Sequence, residues 1–123
     1  MTAQNMMAAL VGPFYSDESL QPSRPSAADL DAEVARGHLL RVRTSDGVAL
    51  YPTFQFDDDL RVLPGLRPAL VALVEVPAWS SAVWLCTEHT ALDNLAPADV
   101  ARDAVRAPQV QQLARQWAAR LEH

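Results

Sequence analysis

The chain has no lysine; all ten of its basic residues are arginine. It has one cysteine and four glycines. A single cysteine excludes an internal disulfide framework and a zinc site built on thiolates. The glycines include no phosphate-cradling loop. No apolar run reaches the roughly 18 residues a membrane-spanning helix needs. Met1 to Leu10 has neither the basic start nor the long apolar stretch of a secretory signal. Together these absences predict a cytoplasmic protein with no membrane partner. The lysine-free, alanine-rich usage is what a GC-rich genome produces and is not read as function.

What is present is 123 residues with a mass of 13.4 kDa, half of them hydrophobic, and a net charge of −5. That is one domain's worth of chain, too apolar to remain disordered. The acidic balance argues against indiscriminate nucleic-acid binding, which relies on excess positive charge, but it allows a local basic patch. Leu121-Glu122-His123 matches the residues left by a C-terminal histidine tag and is set aside from functional reasoning.

Ser16 opens a short helix over Asp17 to Leu20, with acids in the first turn where the helix dipole favours them. Pro22 and Pro25 break it. Ser26 caps a second helix, Ala27 to Arg36, stopped by Gly37. The run Leu39 to Thr44, the turn Ser45-Asp46-Gly47 and the run Val48 to Tyr51 predict a β-hairpin. Leu40 and Val42 fall on one of its faces, Arg41 and Arg43 on the other. Pro52 limits the second strand to an edge or ends its pairing. Phe54-Gln55-Phe56 continues extended into Asp57-Asp58-Asp59, read as a solvated turn because adjacent carboxylates on a loop cannot converge on one ion.

From Leu66 the period is helical, with Leu70, Leu73 and Val74 facing one way up to Pro77. A further helix covers Trp79 to Leu85, and a polar loop surrounds Thr90. Pro97 and Pro108 sit at helix starts. The last helix places Val110, Leu113, Ala114, Trp117 and Leu121 at 3–4 spacing. The expected fold class is therefore α+β and predominantly helical. A short helix–turn–helix with a hairpin spans 1–56, a compact helical bundle spans 57–120, and the two form one unit.

Candidate chemistry is thin. Cys86 and His89 lack a third member and an oxyanion site, so they read as a partly buried thiol beside a surface imidazole. Ser80-Ser81 lacks the glycine-flanked elbow of a hydrolase. No enzyme activity, cofactor or metal is expected.

Trp84-Leu85, then Leu92, then Pro97 with Asp99 and Val100, resembles the C-terminal domain of the Xre/MbcA/ParS antitoxins, with Asn94 where a turn glycine is usual. Asn tolerates left-handed backbone angles best among non-glycine residues. Gly12 to Ser16, Arg36 to Leu40, Asp46-Gly47 and the run Tyr51-Pro52-Thr53-Phe54-Gln55-Phe56 are similar to a subgroup of that family in which a helix–turn–helix and hairpin precede the antitoxin domain. The resemblance implies a homodimer that occludes a RES-type, NAD-consuming toxin. By that implication Arg106, Val110, Leu113, Arg115 and Trp117 of the last helix meet the partner, since aromatic and arginine anchors concentrate binding energy. The competing reading packs Leu113 and Trp117 onto Trp84 and Leu70 in the core. Asp29, Asp31 and Glu33 make the second helix a degenerate reader of DNA. DNA contact then falls to Arg36, Arg41 and Arg43. The alternatives are a stand-alone winged-helix regulator and an orphan homologue serving as an oligomerisation module.

Overall fold

Ser16 and Ser26 start the two helices of the N-terminal half. The Ser16 hydroxyl accepts from the Ser19 amide at 3.3 Å, and the Ser26 hydroxyl from that of Ala28 at 3.2 Å. The structure, a computed structural model, describes residues 3–121, so Glu122 and His123 of the supposed tag lie outside the described residues. Helix α1 (Ala3–Val11), not foreseen in the sequence, leads into β1 (Phe14–Tyr15), α2 (Asp17–Leu20) and α3 (Ala27–Ala35). Gly37 ends α3 at φ +76°, while His38 N–H reaches Glu33 O and Gly37 N–H reaches Val34 O. These are the two closing bonds of a glycine-terminated helix. A side chain at Gly37 would also strike Val71, 3.0 Å from where its Cβ would stand.

The hairpin is β2 (Val42–Arg43) and β3 (Ala49–Pro52), with Val42 opposite Leu50 and Arg43 opposite Ala49. Its first strand is shorter than the expected Leu39 to Thr44. The reason is Gln55, whose fully buried side chain accepts from Leu40 N–H at 2.8 Å and donates to Leu40 O at 2.9 Å. With both backbone groups of Leu40 occupied by one amide, the ladder cannot run past it. Strand β3 is central, not an edge: the antiparallel order is β1-β3-β2, and Pro52 stands opposite Phe14. Proline is accommodated because it is the strand's last residue. Thr53–Gln55 forms a 3₁₀ turn instead of continuing extended, and that turn aims Gln55 back at Leu40. Phe56 resumes extended geometry opposite Val62.

The acidic run is a turn. Asp57 Oδ1 accepts from the amides of Asp59 and Arg61, leaving Asp58 and Asp59 exposed. Beyond it come α4 (Arg67–Ala72), α5 (Ala78–Leu85), α6 (Pro97–Val100) and α7 (Ala107–Leu121). Helix α4 packs on α7, while α5 packs on α1, β2 and α6, so both halves of the chain share one core. Leu70 and Leu73 are buried as expected. Val74 is not: α4 ends at Ala72, the 3.6 period is lost, and Val74 is 42% exposed. Asp93 and Asn94 both take left-handed angles, φ +58° and +64°, a conformation that Asn tolerates best among non-glycine residues. Gly65 is required by contact: an added Cβ would stand 2.2 Å from Ala101 O. Leu85 and Val110 are fully enclosed, each contributing about 1.5–3 kcal/mol by burial.

Candidate functional site

One polar surface is formed by α3 and the hairpin. The outward positions of α3 are Ala27, Ala28, Asp29, Asp31 and Ala35, with Arg36 just past its end. Of its carboxylates, Asp31 is held by Arg41 at 2.6 Å and Glu33 by Arg24 at 2.7 Å. Asp29 is exposed and belongs to neither pair.

The three arginines expected to meet DNA are not equivalent. Arg41 is mostly enclosed, its side chain 17% exposed. Burial opposes its charge, but hydrogen bonds with Asp31 and Tyr51 outweigh that cost and hold its pKa above the ordinary value. It therefore acts as an internal strut, a correction to its expected role on DNA. Arg43 lies on the exposed side of the hairpin and donates to Gly47 O at 3.1 Å. Arg36 is exposed at the helix end. Arg36 and Arg43 are thus both at the surface.

Arg24 was missed. Lying between two prolines, it carries no periodic signal, yet it pairs with Glu33, donates to Leu60 O at 2.7 Å and lies over the Phe56 ring, 5.6 Å from the centroid. It fastens α3 to the Asp57 turn. Tyr51 fastens α2 to the sheet, donating to Asp17 Oδ1 at 2.6 Å. Burial, then the bond to Asp17, pushes its phenol up to about 12. Trp79 Nε1 donates to Arg43 O at 2.8 Å, so α5 steadies the hairpin from behind.

The residues assigned to a toxin partner divide. Val110 is fully buried, which removes it from any surface. Trp117 is half-buried and stacks on Trp84, ring centroids 5.2 Å apart and planes at 11°. That is the core packing set against the interface reading. Arg106 pairs with Asp93 at 3.1 Å, Leu113 is half-buried, and Arg115 is exposed. Of the motif residues, Tyr51, Pro52, Gln55, Phe56, Trp84, Leu85, Leu92 and Pro97 are buried, whereas Phe54 is half-buried and Asn94 exposed. Their work is structural.

Cys86 has its thiol pushed up to about 11, chiefly by burial and then by the nearby Asp99 charge. A thiol so disfavoured as thiolate is a poor nucleophile. His89 is not a surface residue: it is half-buried, with its ring centroid 5.0 Å from that of Trp84. Among the described residues no three His, Cys, Asp or Glu side chains are grouped to hold a metal ion. No helix of the described chain is long and apolar enough to cross a membrane.

These observations define a mostly helical α+β protein: a helix–turn–helix with a three-stranded sheet, backed by a helical bundle. The NMR structure of Rv2175c has the same fold, with a TM-score of 0.70 at 22% identity over 86% of this chain and 81% of that one. The sequence matches no protein-family model and no curated protein.

Proposed function

We propose that the protein is a winged-helix module that binds duplex DNA. The observation that carries this reading is connectivity: α1-β1-α2-α3-β2-β3, with sheet order β1-β3-β2, is the order in which a winged helix–turn–helix is built. In that arrangement α3 lies in the groove and the β2–β3 hairpin rests on the phosphate backbone. Arg36 and Arg43 supply the phosphate contacts, and the ion pairs of Asp31 and Glu33 soften the acidity of α3. With a net charge of −5 the chain offers few phosphate contacts. Fluorescence anisotropy with a labelled duplex tests it. Two phosphate contacts predict a slope of log affinity against log salt of about −2, with Arg36→Ala and Arg43→Ala each reducing it by about 1. No binding at 50 mM salt, roughly the lowest useful screening condition, would overturn the reading.

A second reading, a toxin-occluding protein, draws on a different surface. Leu63, Pro64, Pro68, Ala101 and Pro108 line an apolar cleft of about 500 Å³. In the adjoining loop Val105 is 87% exposed. Apolar surface of this kind serves protein contacts. Co-purification with the protein encoded next door, followed by an NAD-consumption assay, tests a RES-type partner. Absence of any complex removes that reading. Assembly as a homodimer belongs to the same proposal and is checked by light scattering.

A further inference from the structure

Ser81 lies in the middle of α5 and is 1% exposed, yet its hydroxyl has no hydrogen-bond partner. It lines a cavity of about 70 Å³ at the seam between the two halves of the chain. Val34 and Gly37 at the end of α3 line it, with Leu40 leading into the hairpin, and so do Leu70 and Val76 of the C-terminal half. Exposed Val74 also lines it, which gives the cavity a route to solvent.

An orphaned buried hydroxyl is costly, by about 1–3 kcal/mol, unless something bonds it. Water is a poor answer here. A buried water needs two to four polar partners, and among the side chains of this wall only Ser81 and Arg41 are polar. Arg41 also borders the cavity, and its Nη1 is engaged by Asp31. Apolar cavities instead take apolar molecules, and one of about 150 Å³ holds benzene.

We infer that this cavity is a binding site for a small neutral molecule with a short aliphatic body and one hydroxyl or carbonyl, hydrogen-bonded to Ser81 Oγ. Scaled from the benzene case, it accepts about three or four heavy atoms. So small a ligand binds on the order of millimolar. Because the occupant touches both α3 and the bundle, its presence fixes how the two are seated. The inference does not depend on DNA binding.

The test titrates 2-propanol into isotopically labelled protein and follows backbone amide shifts, with Ser81→Ala as the variant. The expected result is saturable shifts confined to Gly37, Leu40, Val76 and Ser81, with affinity about fivefold lower in Ser81→Ala, the loss of one neutral hydrogen bond. Ser81→Ala keeps the helix and removes the orphan, so folding is retained, and thermal unfolding verifies it. Shifts that never saturate, or equal affinity in Ser81→Ala, overturn the inference. So does a crystal structure with water on Ser81 Oγ that 2-propanol fails to displace.

Discussion

Tyr51, fully buried in β3, donates its hydroxyl hydrogen to Asp17 Oδ1 at the start of α2, 2.6 Å away. The bond ties the helix–turn–helix to the sheet, and the environment holds the phenol protonated up to about pH 12 against an ordinary value of 10.0. A group whose folded pKa is raised contributes fully below its unfolded pKa and is lost as pH rises toward the folded one. Stability therefore falls between pH 10 and pH 12. The Cys86 thiol, raised from 9.0 to about 11, adds the same sign one unit earlier. Tyr51→Phe should lower stability at pH 8 by about 1 kcal/mol and flatten the alkaline decline. Urea midpoints at pH 8 and pH 11 check both; a decline as steep in Tyr51→Phe as in wild type would refute the assignment.

Cys86 should react slowly with disulfide reagents. Lifting its pKa from 9.0 to about 11 cuts the thiolate fraction at pH 8 by about a hundredfold. Half-burial slows approach further. The rate with an aromatic disulfide at pH 8, compared between folded and urea-unfolded protein, measures this. Equal rates would show the thiol to be free.

Local signals in the sequence are the ones the structure kept. Ser16, Ser26 and Gly37 act on backbone groups within a few residues, so their caps are visible in any window that contains them. Asn94 was legible for the same reason: left-handed geometry is written in residue type. What could not be read depends on distant partners. Phe14–Tyr15 is a strand only because Tyr51 and Pro52 lie opposite it. That pairing also makes β3 central; of the two roles open to Pro52, an edge strand or an end to pairing, it takes the second. Gln55 shortens β2 across 15 positions of sequence, a long-range bond with no periodic trace. At the candidate interface the arginines were legible as a group, but not which of them is already spent. Only the fold brings Asp31 to Arg41.

Gln55→Leu should be among the most damaging single changes. It preserves bulk but leaves both backbone groups of Leu40 without the partners that now sit 2.8 and 2.9 Å away, and it removes a third bond to Pro52 O at 3.1 Å. The two orphaned groups of Leu40 alone cost about 2–6 kcal/mol. Chemical denaturation gives the value. A loss below about 1 kcal/mol would mean that the hairpin satisfies Leu40 in another way.

Trp117→Ala separates core from interface. Half-buried and stacked on Trp84 at 5.2 Å, it should cost about 2–3 kcal/mol of stability on truncation and abolish any far-ultraviolet circular dichroism couplet from the indole pair. Arg115→Ala, on an exposed position of the same helix, should leave stability within about 0.5 kcal/mol. If Trp117→Ala were equally silent, the ring would be free for a partner and the stripe of α7 would regain its interface role.

Asp29 is the exposed carboxylate of α3 that neither ion pair occupies. If α3 faces duplex DNA, that charge repels phosphate, since Asp29 takes part in none of the ion pairs that hold Asp31 and Glu33. Asp29→Asn should then strengthen binding to a random duplex by about two- to fivefold at 50 mM salt, and by less at 200 mM, where screening shortens its reach. Asp31→Asn should act differently. It releases Arg41, which is 17% exposed and held at 2.6 Å, so DNA affinity gains a cation while folding stability drops by about 1 kcal/mol. Anisotropy titrations alongside urea melts distinguish the two. Unchanged affinity in both variants would place α3 away from the duplex and leave the apolar cleft at Pro64 and Pro108 as the surface to pursue.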